Sequence, residues 1–453
     1  MPMRLISVCF ILAGIIACNK SKIPDNDKRI SIFDYDSFVS LDQNIARIKN
    51  QEPKNNDQYL SHSYYDSNSE VFHYSGEVEK IDSIKLGGAD FSFFKTDNSV
   101  VRYKDQIVVL DDILNVWIVS SDLKTKEQIF KTDNKLSDFA SLTIYEDFLI
   151  RSDSIGNIVK IDLRNFNIVA KVHDPRYKFY SGFSFAKDSN LLYGHASSGV
   201  IFAFNIDDLS VKFSISDGSN DQNGIANLSS EQYINFARPT VKGDKLIVIN
   251  RYGDILFLDK ISGKIIDSNR LDFISGRSIL YSTQLSFDTP MFKPFVNDVV
   301  GYFGSKISNI AVFSMKNLMP VYSTKFNQNS PIISSPNFLY FITNQNQLLA
   351  VHIESGMVKW SLDLPKYHDH KMPKYLSKGK GYNRSKLNFR GPMFINGDIV
   401  LFSPFGKMLI VDIEGGEIKE EKSIPSCIFS TPVVMDDAIF GYSLCDSKLY
   451  KIH

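Results

Sequence analysis

A strand, a tight polar turn and a second strand recur along the chain, and this repeat limits the fold more than any other feature. Four copies are clear: "GNIVKIDLRNFNIV" from Gly156, "GDILFLDKISGKII" from Gly253, "LLAVHIESGMVKW" from Leu348 and "GKMLIVDIEGGEIK" from Gly406. Looser copies fill the gaps: "NVWIVSSDLKTKEQIF" from Asn115, "GVIFAFNIDDLSVKF" from Gly199, "NIAVFSMKNLMPVY" from Asn309 and "KLYKIH" at the end. Aligned at the polar residue that ends the first strand, Ser120, Asp162, Asn205, Asp259, Ser314, His352, Asp412 and His453 fall in register, 38 to 60 residues apart. That period, with turns this tight, fits a unit of four short strands, the blade of a β-propeller.

The segments ahead of each hairpin supply the missing pair. "RPTVKGDKLIVIN" from Arg238, "GPMFINGDIVLFS" from Gly391 and "STPVVMDDAIFGY" from Ser430 each read as strand, Gly/Asp turn, strand. No helix-period stretch intervenes that would supply crossover helices for a parallel sheet. The expected fold is therefore all-β: eight four-stranded antiparallel blades in one domain over residues 76–453. The 34 Phe and 21 Tyr suit so large a strand-rich core. The eighth copy lacks an outermost strand, while "EVEKIDSIKL" from Glu77 has no unit of its own. Pairing the two closes the ring with strand from both ends of the chain and leaves no open seam.

Residues 1–17 read as a leader. Met1–Arg4 carries one positive charge, and Leu5–Ile16 is apolar but too short to span a bilayer. The Ile15-Ile16-Ala17-Cys18 stretch resembles a bacterial lipobox, which implies cleavage before Cys18 and lipidation of its thiol. Acylation by more than one chain, palmitate among them, would give stable membrane attachment. Asn19 in place of Asp favours the periplasmic face of the outer membrane. Residues 18–75 are polar and read as a lipid-anchored tether, with a short helix expected around Phe38–Ile48.

"AVHIESGMVKW" from Ala350 resembles the repeat of pyrroloquinoline-quinone enzymes: Ala, one residue, Asp, two residues, Thr-Gly, three residues, Trp. His352 and Ser355 replace the Asp and Thr, while Gly356 and Trp360 match. Lipobox, polar tether and eight such blades together resemble the BamB family, lipoproteins of the machinery that folds β-barrels into the bacterial outer membrane. The resemblance implies a non-catalytic scaffold that binds the barrel-forming, BamA-like subunit through its periplasmic domains. No binding residues of the family align onto this chain.

Competing functions find less support. Lys plus Arg equals Asp plus Glu at 51 each, so no global field points to nucleic acid. Quinone-dependent dehydrogenases resemble one another in a vicinal Cys pair and many docking Trp residues; this chain has no Cys-Cys and only Trp117 and Trp360. His368, Asp369 and His370 form the one close cluster of metal-ligand types, in a Lys-rich loop whose cations oppose a metal. No phosphate-cradling Gly-x-x-x-x-Gly-Lys-Ser/Thr run or triad signature occurs. Asp162, Asp259 and Asp412 read as turn acceptors, not as catalytic acids. No cofactor is expected. The alternatives are a propeller that binds a small ligand or quinone in its funnel, and a scaffold of another envelope complex.

Cys427 and Cys445 flank the first two strands of the last blade at one end, where a disulfide and two buried free thiols are both reasonable. Three long connections, about Asp217–Ala237, Arg270–Asp288 and Lys366–Arg390, must emerge on one face of the ring. The third holds Lys366, Lys371, Lys374, Lys378, Lys380, Arg384, Lys386 and Arg390 against one acidic residue, with Tyr367, Tyr375 and Tyr382 interleaved. Lys366 to Arg390 is thus the candidate partner-binding loop, suited to an acidic domain or lipid head groups, and the same composition also fits a solvated, mobile loop with no partner. Blade edges also offer strand addition.

Overall fold

A computed structural model describes residues 29–30, 80–87, 100–132, 140–179, 181–196, 198–217, 238–250, 254–271, 294–303, 309–343, 345–367, 389–428, 432–435 and 438–453. They form eight antiparallel blades, each a meander whose strands A to D run from the centre outward. Blade 1 is Val100–Tyr103, Gln106–Leu110, Val116–Ser120 and Lys126–Phe130; blade 2 is Ala140–Tyr145, Phe148–Asp153, Asn157–Asp162 and Ile168–His173. Blade 3 is Ser184–Ala186, Leu191–His195, Val200–Asn205 and Val211–Ser216; blade 4 is Thr240–Lys242, Lys245–Ile249, Asp254–Asp259 and Ile265–Leu271. Blade 5 is Phe295–Val296, Val300–Phe303, Asn309–Ser314 and Pro320–Asn327; blade 6 is Ile333–Ser334, Phe338–Ile342, Gln347–His352 and Val358–Asp363. Blade 7 is Arg390–Ile395, Asp398–Ser403, Lys407–Val411 and Ile418–Ser423. Blade 8 takes strands A to C from Val433–Met435, Ala438–Ser443 and Lys448–Ile452, and strand D from Ile81–Lys85.

The orphan strand thus closes the ring as its sequence suggests. Ile81 pairs with Ile452 and Lys85 with Lys448, antiparallel. Leu86 N–H then donates to Ser447 O at 2.8 Å, and its side chain is buried among Val100, Phe440 and Tyr442 where blade 8 meets blade 1. Strands B and C are apolar on both faces because each blade is packed between two others; strands D alternate because their outer side meets water. One pairing departs from expectation. Arg29–Ile30, inside the segment read as a tether, lies parallel to Arg270–Leu271 and adds a fifth strand to blade 4. The leader, Cys18 and the helix expected at Phe38–Ile48 lie outside the described residues.

Packing between blades follows a size rule. Each of seven C–D turns carries one residue in the left-handed conformation: Leu123, Phe166, Leu209, Gly263, Leu318, Gly356 and Gly416, with φ between 59 and 72°. Such a conformation costs a non-Gly residue about 1–2 kcal/mol, so the large side chains must return something. They fill the slot against the preceding blade: Phe166 packs into the cluster joining blades 1 and 2, Leu209 into that joining 2 and 3, and Leu318 into that joining 4 and 5. At Gly263 and Gly416 an aromatic ring from the preceding strand D takes its place. A Cβ on Gly263 would come within 2.6 Å of Phe213, and one on Gly416 would collide with Trp360.

The D-strand residue at each slot is the one paired with the residue two positions before the aligned polar site, which is Asp412 in blade 7 and His453 in blade 8. By register these partners are Asp82 for Leu123, Glu127 for Phe166, Ala170 for Leu209, Phe213 for Gly263, Asp267 for Leu318 and Trp360 for Gly416. Both described rings, Phe213 and Trp360, stand against glycine, and the small or polar residues share a slot with Leu or Phe. Two large groups would overfill the slot and two small ones would leave a void, and either costs stability.

Leu86→Ala should destabilise the ring by about 2–5 kcal/mol in urea unfolding, although Leu86 belongs to the amino-terminal part of the chain. The same truncation at half-exposed Ile81 should cost within about 0.5 kcal/mol.

Candidate functional surface

The B–C turns and the D–A connections share one face of the ring. Its polar frame starts at the ends of strands B, where a side chain caps the turn that follows. Asp111 Oδ1 accepts from Ile113 N–H at 3.0 Å and Asn115 N–H at 2.9 Å, while its Oδ2 accepts from Trp117 Nε1 at 2.8 Å. Asp153 repeats the arrangement with Asn157, whose N–H and Nδ2 both donate at 2.9 Å. Asn250 does so with the partners reversed, accepting from Asp254 N–H at 2.8 Å and donating to Asp254 Oδ2 at 2.9 Å. The spacing Asp-x-x-x-Asn, or its inverse, is the sequence signal for these caps.

Arg151 and the His195–Asp217 pair are buried behind this face. Arg151 is 1% exposed, donates to Asp153 Oδ2 at 3.1 Å and Thr132 Oγ1 at 3.3 Å, and stacks on Phe130. Burial pulls its pKa below the usual arginine range. His195 Nε2 lies 2.8 Å from Asp217 Oδ2, both wholly buried, and Asn250 Nδ2 donates to the Asp217 carbonyl at 2.9 Å. The pair fixes the root of the first long connection. No motif marks either group: Arg151 reaches Thr132 of the neighbouring blade, and His195 and Asp217 lie 22 residues apart.

At the third connection Lys366 is exposed, whereas Tyr367 donates to Glu421 Oε2 at 2.5 Å and meets Phe389 edge-on, with ring centroids 5.8 Å apart. Burial, followed by the Glu421 bond, pushes the Tyr367 hydroxyl well above its ordinary pKa. Arg390 opens strand A of blade 7 and is half-buried. The roots are therefore clamped to the scaffold. Lys371, Lys374, Tyr375, Lys378, Lys380, Tyr382, Arg384 and Lys386, with the cluster His368, Asp369 and His370, lie outside the described residues. So do most of the other two long connections.

Cys427 and Cys445 form a disulfide across the same face, with Cα atoms 5.6 Å apart. Beside it Tyr442 donates to Asp112 Oδ1 at 3.0 Å, and Ser447 to Asp112 Oδ2 at 3.3 Å. Blade 8 is thus joined to blade 1 by polar bonds as well as by apolar packing. On the opposite face Asp162, Asp259 and Asp412 accept turn N–H groups from Arg164, Ser262 and Gly415. Among the described residues no three His, Cys, Asp or Glu side chains are grouped to hold a metal, and no helix is long and apolar enough to cross a membrane.

Comparison with known proteins locates the ring but not its task. No protein-family model matches the chain, and no curated protein matches its sequence. Among solved structures it is similar to BamB from Moraxella catarrhalis, with a TM-score of 0.58 at 13% identity over 82% of this chain and 98% of that one. It is also similar to the computationally designed protein Ika8, with a TM-score of 0.51 at 10% identity over 81% of this chain and 98% of that one. At such identities the likeness establishes the eight-bladed fold.

Breaking the disulfide, by Cys427→Ser with Cys445→Ser, should lower stability by about 3 kcal/mol for a closed loop of this size. The measurement is urea unfolding against the oxidised protein. Arg164 holds the Asp162 carboxyl at about 2, mainly through its side-chain hydrogen bond. A lowered carboxylate contributes stability above its unfolded pKa and loses it as pH falls through the folded one. Asp162→Asn should therefore flatten the acid limb of the stability curve between pH 4 and pH 2.

Proposed function

We propose that this protein is a lipid-anchored, non-catalytic scaffold of the outer-membrane β-barrel assembly machinery. In this reading Cys18 carries the acyl chains, and the ring stands at the periplasmic face of the outer membrane. The ring then presents its loop-bearing face to the periplasmic domains of a BamA-like barrel subunit. The observation that carries the reading is an eight-bladed ring that spans 98% of a BamB structure, preceded in this chain by a lipobox-like stretch. A rigid ring with long connections on one face is suited to hold a partner, because the scaffold bears the ordering cost and the loops supply the contacts. The basic connection complements an acidic partner domain, and its steering would weaken with salt.

Affinity purification of the tagged, full-length protein from crosslinked envelopes tests the reading. Recovery of a large barrel protein with repeated periplasmic domains is expected. Replacing Lys371, Lys374, Lys378 and Lys380 with Glu should reduce that recovery without lowering the melting temperature. Cys18→Ala should move the protein from the membrane to the soluble fraction and abolish acyl labelling. A complex of other envelope components, without the barrel protein, would refute assembly while leaving the anchored ring intact.

A further inference from the structure

Among the described residues, six of the eight seams between blades have a filled outer slot on the C–D face, and one is open. The open one lies between blades 7 and 8. Strand D of blade 8 comes from Ile81–Lys85, so no C–D turn joins strand C to strand D there. Among the described residues, none takes the position that Leu123, Phe166, Leu209 or Leu318 holds at the other seams. Strand D of blade 7 does not fill it either, because its slot-facing residue is Glu420, paired with Ile410, where blade 6 has Trp360.

A cavity of about 130 Å³ occupies the place. Ile395, Val400, Met408, Ile410 and Ile439 line it, with Glu420 at the mouth. Four of these five apolar side chains also belong to the buried cluster of this seam, and Ile410 packs against it half-buried. The cavity approaches the size of an engineered apolar cavity that takes up benzene. Its rim is charged, with two cations against three carboxylates: Lys419 bonds Asp398 at 2.7 Å and Asp412 at 3.0 Å, and Lys422 bonds Glu420 at 3.0 Å.

We propose that this slot is a docking site for a single Leu- or Phe-sized side chain carried on a polar turn of a partner protein. The occupant is specified by the other seams of the same molecule. Wherever the D-strand residue is small or polar, as Asp82, Glu127, Ala170 and Asp267 are, the slot takes a large apolar side chain from a turn. Glu420 puts the open slot in that class. Elsewhere the turn reaches its slot as part of the chain; here a turn of the same chemistry, borne by another protein, completes the packing. An apolar anchor in a preformed pocket with a polar rim is the usual form of a binding hot spot. The site lies on the face opposite the long connections and is independent of the barrel-assembly reading.

The test uses the full-length protein and a cyclised peptide that carries the blade 3 turn Asn205–Val211, with Ile206, Leu209 and Val211 as its apolar residues. Titration should give saturable shifts at the methyl groups of Ile410 and Ile439, leaving those of Ile150 and Ile158 in the filled seam between blades 2 and 3 unmoved. A peptide with Ser in place of Leu209 should bind at least about tenfold more weakly, the expected loss for one buried Leu. Glu420→Trp, which copies the ring of Trp360, should weaken binding at least as much while retaining the melting temperature. If that variant does not fold, the methyl pattern in the unaltered protein decides. Absence of saturable binding, shifts spread over filled seams, or undiminished binding to a folded Glu420→Trp protein would each overturn the proposal.

Discussion

The contact on which the rest of this structure depends is the slot between neighbouring blades on the C–D face. A blade is a small twisted sheet with two apolar faces, and alone it would leave both in water. Its stability comes from stacking, so the precision of the seams decides whether eight degenerate repeats form one ring. The left-handed turn residue and the strand D residue of the preceding blade share each slot. Their sizes vary inversely, from Ala170 beneath Leu209 to Trp360 over Gly416. The repeat has drifted in sequence while the filled volume has been kept.

Closure imposes the second constraint. A ring built from a chain has one seam where the two ends must meet, and here the amino-terminal strand supplies the missing edge of the last blade. Leu86, the Tyr442–Asp112 bond and the disulfide from Cys427 to Cys445 all lie at or beside that seam. The same connectivity leaves blade 8 without a C–D turn, so the open slot follows from the way the ring is closed. A binding feature thus arises from topology without any motif to announce it.

The architecture was legible because strand alternation, turn residues and period are local properties of sequence. Even the orphan strand at Glu77 could be assigned, since only one unit lacked a partner. The roles of Arg151, His195 and Asp217 were not legible, because no motif marks them and the bonds from Arg151 to Thr132 and from Asn250 to Asp217 join neighbouring blades. The size rule lay in plain view at Trp360 and Gly416, yet it relates residues in adjacent repeats and shows only once the strand register is known. Arg29–Ile30 escaped notice for a different reason: two residues give no alternation to read. Function is less legible than fold, and the likeness to both BamB and a designed propeller shows why, since the same ring is reached with and without a natural task.

The central claim, that inverse sizes in a shared slot specify the seams, is tested most directly by a double-mutant cycle on Trp360 and Gly416. Trp360→Ala alone should cost about 3–5 kcal/mol through the void it leaves, and Gly416→Leu alone about 1–3 kcal/mol through overpacking. Together they recreate the pairing of Ala170 with Leu209. The account predicts that the double variant is more stable than the sum of the single losses allows, by at least about 1 kcal/mol. Additive losses would mean that the two residues do not share a volume, and would contradict it.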